Sequence, residues 1–314
     1  MAQVTAQMVK ELRERTQAPM GDCKTSLVEA DGDMDKAIEL IQKKGLSKSV
    51  KRAGAAATEG VVEAHVFGGG KSGVIVEVNS QTDFVARNAG FQEFVKSLIE
   101  VASKTTAGTD IGAAKFDSGK TVEETRAELS GTIGENIQVR RWERFDAKAP
   151  GFVHSYVHMG GKIGVLIEIG THSDAAVNDP AVKQFADDCA MQIAAMSAQY
   201  THRSEVPADV LDKQGEIYLA QMKEEQAAGT LKAPEASWPK IVEGKKVKWF
   251  SEIALLDQES VLTPGSSIDK LRGELSKAAG GEVTIRRFVR FERGEGIAKK
   301  SDDFAAEVAK MAGG

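Results

Sequence analysis

The chain has 314 residues, of which 41% are hydrophobic and 28% charged, and its formal net charge at pH 7 is -5. This length suits two or three domains, and the acidic balance argues against binding nucleic acid through a broad basic surface. No apolar run reaches the roughly 18 residues of a membrane span, and the charged N-terminus does not resemble a signal peptide. Cys23 and Cys189 form neither a disulfide framework nor a zinc motif. We therefore expect a cytoplasmic protein that binds no membrane.

Residues 1–45 are predicted to form three short helices, because apolar residues recur there at helical spacing between turn signals. Gly45 is predicted to end the third helix as a C-cap. The stretch 46–60 is rich in Lys, Ala and Gly without an apolar period, and it is predicted to be a linker. A unit this small has a small core, which is typical of a compact recognition module.

Two parts of the chain repeat each other. Residues 61–94 align with residues 152–185 without a gap, and residues 126–145 align with residues 272–291. In each copy, two β-rich runs flank a glycine turn, a helix follows, and a strand closes the unit. This order predicts an α+β fold in which helices cover one face of a largely antiparallel sheet. The two units of this duplicated core, subdomain N and subdomain C, are predicted at 61–145 and 151–291.

The second unit is longer than the first because it carries an insertion at about 201–250. Two apolar helical stripes, separated by Gly and Pro breakers, predict a helical hairpin there. A projecting hairpin buries little of its own surface, so we expect it to pack on another molecule or on the body of the protein. Residues 292–314 are predicted to form a C-terminal module with a final amphipathic helix.

The two copies differ in the segment 81–88. Asp83 recurs in the second copy as Asp174, but Phe84 aligns with Ala175. Two interpretations of the phenylalanine stay open: the ring is buried under its own turn, or it enters a partner's pocket as an aromatic hot spot. Because the shared scaffold does not require this side chain, the mismatch favours the partner-facing role.

Other motifs have ordinary structural explanations. Residues 68–71, GGGK, lack the spacing of a phosphate-binding loop and join two strands, so a hairpin turn is predicted. His154 and His158 would lie about 13 Å apart on a strand, too far to share a metal ion. No catalytic order of residues or ligand cluster is present, so we expect no enzyme, metal or cofactor. Paired arginines occur in both copies, which favours a scaffold role over RNA binding; they are Arg140, Arg141, Arg286 and Arg287.

Three segments resemble the bacterial elongation factor Ts family: VNSQTDFVARN, the opening VKELRERTQAPMGDCKTSLVEADGDMDKAIELIQKKG, and the close RFERGEG followed by DFAAEVAKM. The resemblance covers essentially the whole chain. It implies a guanine-nucleotide exchange factor for elongation factor Tu, the GTPase that carries aminoacyl-tRNA to the ribosome. It also implies a ubiquitin-associated-like (UBA-like) fold for residues 1–45, a dimerisation role for the hairpin, and a C-terminal helix.

The resemblance further implies a partner-binding site in which Asp83 and Phe84, flanked by Thr82 and Val85, intrude near the Mg²⁺ site of the GTPase. Displacing the water molecules that coordinate this Mg²⁺ would weaken the binding of GDP to the GTPase. Additional contacts are implied in the N-terminal module, the second subdomain and the C-terminal helix, at Arg13, Met20, His158, Phe304 and Val308. We expect no direct binding of nucleic acid. The alternatives are an RNA-binding scaffold built on the basic stretch 48–52 and the arginine-bearing strands, and an unrecognised enzyme.

Overall fold

A computed structural model of the chain describes residues 4–16, 18–52 and 56–297, without side-chain positions for residues 45–52. The α-helices are α1 Ala6–Thr16, α2 Met20–Glu29, α3 Met34–Arg52, α4 Asp83–Ala86, α5 Ala89–Lys104, α6 Val122–Ile133, α7 Asp174–Val177, α8 Pro180–Met196, α9 Ala208–Ala227, α10 Trp238–Ile253 and α11 Ile268–Ala278. The strands are β1 Glu59–Phe67, β2 Ser72–Ser80, β3 Gln138–Asp146, β4 Gly151–His158, β5 Ile163–Thr171 and β6 Val283–Glu292.

The first three helices form a small module around their own apolar core, as the sequence predicts. The core is built from Val9, Leu12, Ala18, Cys23, Leu27, Ala30, Ala37 and Ile41. Burial raises the pKa of the Cys23 thiol. The buried thiol therefore acts here as a small apolar side chain.

The predicted end of the third helix is wrong. Gly45 lies inside α3, which continues to Arg52, so the first half of the predicted linker 46–60 is helical and its last residues belong to β1. The helix packs against α6 of the following lobe. Such tertiary packing outweighs the roughly 1 kcal/mol that glycine costs in a helix interior.

The rest of the core consists of two lobes with the same topology, the first lobe at 59–146 and the second at 151–292. Each lobe has a three-stranded antiparallel sheet, with the strand order β1-β2-β3 in the first lobe and β4-β5-β6 in the second. The middle strands, β2 and β5, come from aligned positions of the sequence repeat. Helices α5 and α6 cover the outer face of the first sheet, and α8 and α11 cover that of the second. The duplicated α+β core is confirmed, and residues 68–71 form a turn between β1 and β2.

The inner faces of the two sheets pack against each other. Their shared core consists of Val62, Ala64, Ile75, Phe145, Val153, Leu166 and Phe291. The glycine turn of each lobe also contacts the first strand of the other: Val153 N–H donates to Gly70 O, and Val62 N–H donates to Gly161 O, both at 2.8 Å. The repeated glycines Gly70 and Gly161 therefore lie at contacts between the lobes. A side chain on Gly161 would clash with Val61.

Each lobe buries one glutamate on its middle strand. The carboxylate of Glu77 accepts hydrogen bonds from Arg140 at 3.0 Å and from Arg141 at 2.5 Å. A β-bulge makes this possible, because Glu77 pairs with Arg141 while Val78 pairs with Val139, which leaves Arg140 as the extra residue. Two consecutive arginines can therefore reach one carboxylate. The second lobe repeats this arrangement with Glu168, Arg286 and Arg287.

The two glutamates also join the lobes. Gly294 N–H, beyond the last strand of the second lobe, donates to Glu77 at 2.8 Å. Lys148 N–H, beyond the last strand of the first lobe, donates to Glu168 at 2.8 Å. Guanidinium groups stack across the same boundary, with Arg141 over Phe291 at 4.3 Å and Arg287 over Phe145 at 4.0 Å to the ring centroids. Each lobe therefore completes the polar network of the other.

Beyond β6, the chain returns to the start of the first lobe. Arg293 forms an ion pair with Glu59 at 2.8 Å and donates to Gly60 O at 3.2 Å. A side chain on Gly294 would collide with the carbonyl of Thr58. Residues 293–294 are therefore fixed against the first residues of β1. Only residues 292–297 of the predicted C-terminal module are described, and its helix with Phe304 and Val308 lies outside the described residues.

The insertion predicted at about 201–250 contains α9 and α10, joined by a short loop. The two helices share a small core of Met222, Trp238 and Val242. Ile217 and Val247 remain on the surface, 41% and 55% exposed. Within the described ranges, no helix has both the length and the apolar character that a membrane span requires.

The close approach at Gly161 gives a first prediction. Gly160 and Gly161 both have positive φ, at 61° and 90°, but added methyl groups would meet open space at Gly160 and Val61 at Gly161. Gly160→Ala should cost about 1 kcal/mol for the backbone conformation alone, and Gly161→Ala about 3 kcal/mol because the clash adds to it. Urea unfolding of both variants measures the difference, and equal midpoints would contradict the proposed contact between the lobes.

The buried glutamates give a second prediction. Burial opposes ionisation of Glu77, but hydrogen bonds from Gly294, Asn79 and the two arginines outweigh it, so its pKa is lowered. Because an unfolded glutamate has a pKa of about 4.3, ionised Glu77 stabilises the fold above that pH. The contribution is lost as pH falls through the lower folded-state pKa.

Glu77→Gln should therefore cost about 3 kcal/mol at pH 7, and less at acidic pH, where the wild type loses the same contribution. Urea unfolding between pH 3 and pH 7 provides the measurement. Glu143→Gln, on the exposed side of β3, is the matched control. A constant difference between variant and wild type across this range would contradict the role of the ionised carboxylate.

Candidate partner-binding site

The segment that differs between the copies lies at the surface of the first lobe, directly after β2. Its one-turn helix α4 carries Phe84, whose side chain is 80% exposed. This contradicts the interpretation in which the ring is buried under its own turn. Among the described residues, Phe84 is the most exposed of the large hydrophobic side chains, and an aromatic residue of this kind can serve as an anchor in a partner's pocket.

The residues after Phe84 fix the turn to the lobe. Val85 and Ala86 are buried in the first-lobe core. The Gln92 side chain donates to Ala86 O at 2.5 Å, and the Asn88 side chain caps α5. The partner contact of Val85 stays a prediction, but its side chain is buried, because the same helical turn that exposes Phe84 directs Val85 into the core.

Thr82 precedes α4, but its side chain does not cap this helix. Instead, the Thr82 hydroxyl donates to Oε1 of Glu135 at 2.7 Å, and the Thr82 N–H donates to Oε2 at 3.0 Å. Ser80 donates to Thr82 O at 2.9 Å. Glu135 was not identified from the sequence, although its counterpart in the aligned copy, Gly281, could have marked it as specific to one lobe.

Asp83 forms an ion pair with Arg87 at 3.0 Å, and the two side chains are 48% and 79% exposed. Exposed pairs of this kind contribute about 0–1 kcal/mol. The Asp83 carboxylate can therefore leave Arg87 for another donor at little cost. Of the four residues of α4, Asp83 and Phe84 are thus the two whose side chains reach solvent.

The other predicted contact residues lie on separate parts of the molecule. Arg13 is exposed on α1, and Met20, 55% exposed, begins α2 of the same module. His158 is exposed at the end of β4 in the second lobe, with its Nδ1 2.9 Å from the Tyr156 hydroxyl. These residues do not converge on one cavity with Phe84. A surface of this kind suits an extended partner.

The alternative functions gain little support from the structure. His154 pairs with Asp187 at 3.0 Å, away from His158, and the described residues contain no group of three potential metal ligands. A groove of about 870 Å³ lies between α5 and α6, but no histidine or cysteine lines it. Each of the four paired arginines forms an ion pair with Glu77 or Glu168, which gives them a structural role in both lobes.

Comparison with known proteins agrees with this architecture. The sequence profile of the family described as Elongation factor TS matches residues 81–295, which begin at the turn before Phe84. The protein named Elongation factor Ts in Clostridium perfringens is 45% identical over 312 residues, 99% of each chain. The protein of that name in Symbiobacterium thermophilum is 44% identical over 313 residues, 100% of this chain and 99% of its own. The one in Bdellovibrio bacteriovorus is 44% identical over 308 residues, 98% and 97% of the two chains.

The three relatives match this chain over both lobes, the hairpin and the N-terminal module. Their alignments include residues before 81, which the family profile does not reach. The chain belongs to the elongation factor Ts family.

Proposed function

We propose that the protein is a guanine-nucleotide exchange factor that binds elongation factor Tu and promotes the release of GDP during translation. The observation that carries this proposal is the 80% exposed ring of Phe84 on a turn anchored to the first lobe. The aligned turn of the second lobe, α7, has the same fold with Ala175 in its place. Only one of two equivalent turns therefore bears the side chain suited to enter a partner.

Phe84 suits a wedge because its turn is already ordered before binding. The neighbouring Val85 and Ala86 are buried, and Thr82 is hydrogen bonded on both its donors. A preorganised contact avoids most of the entropy cost of ordering a loop on binding. A single aromatic anchor in a partner's pocket can contribute about 2 kcal/mol or more.

The wedge would act on the partner's nucleotide site through electrostatics. In a GTPase, Mg²⁺ neutralises the phosphates of the nucleotide, so a contact that disturbs its coordination weakens GDP binding. Asp83, in an exposed ion pair with Arg87, can bring a negative charge to the same place at little cost. No bond in a substrate is made or broken, and the protein has no catalytic chemistry of its own in this proposal.

Such exchange is a reciprocal coupling between two ligands of one GTPase. If the factor weakens GDP binding, GDP weakens binding of the factor by the same ratio. To accelerate release about a thousandfold, the contacts must stabilise the barrier for release by about 4 kcal/mol relative to the GDP-bound state. One aromatic anchor combined with disturbed metal coordination is of that order.

The proposal includes further contacts beyond the turn. Arg13 and Met20 would touch the GTPase domain, and His158 would face another domain of the partner. Phe304 and Val308 are proposed contacts outside the described residues. In this proposal the protein acts in the cytoplasm, and it binds neither a membrane nor nucleic acid directly.

The direct test measures release of a fluorescent GDP analogue from purified elongation factor Tu, with and without this protein. Acceleration that saturates with its concentration is expected. An unchanged release rate at every concentration would overturn the proposed function.

Phe84→Ala should slow factor-stimulated GDP release by roughly 30-fold, equivalent to about 2 kcal/mol of lost transition-state contact. The thermal midpoint should stay within the error of the wild type, because an exposed ring contributes little to folding. Leu262→Ala, which removes another exposed apolar side chain in the second lobe, is the matched control. Wild-type exchange by a folded Phe84→Ala protein would remove Phe84 from the mechanism.

We also propose that the hairpin of α9 and α10 forms a homodimer contact. Its own core is small, and Ile217 and Val247 stay exposed on its surface. Helices with unburied apolar residues gain free energy by covering them in an interface.

The double substitution of Ile217 and Val247 by Ser should therefore convert a dimer to a monomer without loss of helix content. Sedimentation equilibrium and circular dichroism provide the two measurements. Val28→Ser, at a site 56% exposed in the N-terminal module, is the control and should leave the dimer intact. A wild-type monomer at all concentrations, or a dimer that survives the double substitution, would contradict this proposal.

A further inference from the structure

We infer that Glu135 is a positioning residue for the exposed turn, and that it sets the orientation in which Phe84 meets the partner. The inference rests on the proposed function of Phe84. Glu135 follows α6 and lies far from α4 in sequence, yet both of its carboxylate oxygens bind Thr82. Hydrogen bonds to an ionised acceptor are the stronger kind, and two of them on one residue fix its orientation as well as its distance.

The second lobe shows the same turn without a residue equivalent to Glu135. There, Ser173 occupies the place of Thr82, and its hydroxyl caps α7 by accepting from Ala176 N–H at 3.3 Å. The residue aligned with Glu135 is Gly281, which has no side chain to offer. In the first lobe, the Thr82 hydroxyl does not cap α4, although such a cap contributes about 1 kcal/mol, and it donates to Glu135 instead. The turn that bears Phe84 is therefore held by a bond to a distant residue, where the turn of the second lobe is held by a local one.

Glu135 is itself held in place by its neighbours in the chain. Gly134 ends α6 in a left-handed conformation, with φ of 92°, and the next residue is Glu135. The Ser130 hydroxyl donates to Glu135 O. Asn136 N–H donates to the Gln81 side chain at 3.0 Å, which adds a second link between this connection and the turn. The carboxylate is therefore held on both sides along the chain.

Other contacts shared by the two lobes cannot explain this difference. Ser80 binds the carbonyl of Thr82, and Thr171 binds the carbonyl of Ser173, both at 2.9 Å. This bond belongs to the common scaffold. The two bonds that Thr82 donates to Glu135 have no counterpart at Ser173, in the lobe without the phenylalanine, which points to a role in presenting that ring.

The first test needs no partner. In the wild type, the Thr82 amide should be protected from hydrogen exchange, because it donates to Glu135. In Glu135→Ala this protection should fall by about tenfold or more, while Glu135→Gln, which retains an acceptor oxygen, should keep most of it. Unchanged protection of Thr82 in Glu135→Ala would overturn the inference, whatever Phe84 does.

The second test measures GDP release from elongation factor Tu at subsaturating concentrations of the factor. Glu135→Ala should lower the apparent second-order rate constant by about threefold to tenfold, and Glu135→Gln should restore most of it. Glu123→Ala removes the same charge from an ion pair with Arg126 inside α6, and it should behave as the wild type. Equal loss in Glu135→Ala and Glu123→Ala would show a general effect of charge and overturn the inference.

A double substitution separates positioning from a general structural role. If Glu135 acts through Phe84, Glu135→Ala should cause no further loss of exchange in a Phe84→Ala background. A full additional loss there would show that Glu135 acts elsewhere and overturn the inference. If Phe84→Ala alone leaves exchange unchanged, the proposed wedge fails, and the protection of the Thr82 amide still decides whether Glu135 holds the turn.

Discussion

The structure depends on two buried carboxylates, Glu77 and Glu168, each of which lies at the centre of one lobe and is completed by the other. A buried charge is costly unless nearly all of its hydrogen-bonding capacity is used. Here two arginines and a backbone N–H surround each carboxylate. Because the N–H comes from the opposite lobe, separating the lobes would leave both charges partly unsatisfied. The lobes therefore behave as one body, and the Phe84 turn is mounted on that body.

Much of this architecture could be predicted from the sequence, because it follows from local patterns. The alignment of the two copies predicts the two sheets, their glycine turns and the helices that cover them. The same alignment isolates Phe84, since an aromatic residue missing from an otherwise equivalent turn has no role in the common scaffold. The helical hairpin follows from its two apolar stripes. These inferences need only periodicity and comparison within the chain.

The features that could not be predicted depend on contacts between distant segments. Nothing in the sequence near Gly45 shows that α3 continues and packs on α6. The consecutive arginines suggest alternate faces of a strand until the bulge beside Glu77 brings both to one carboxylate. Val85 and Phe84 are both apolar neighbours, and only the helical turn decides which is buried. Glu135 lies far from Thr82 along the chain, so no local pattern links them.

The return of the chain after β6 determines where the outer modules attach. Arg293 and Gly294 lie against the first residues of β1, directly after the N-terminal module. In the register of the sheet, Glu59 pairs with Ser80, and the turn with Phe84 follows at once. The start of β1, the aromatic turn and residues 293–294 therefore lie at one corner of one sheet. A protein that docks on Phe84 would cover the place where the two ends of the duplicated core meet.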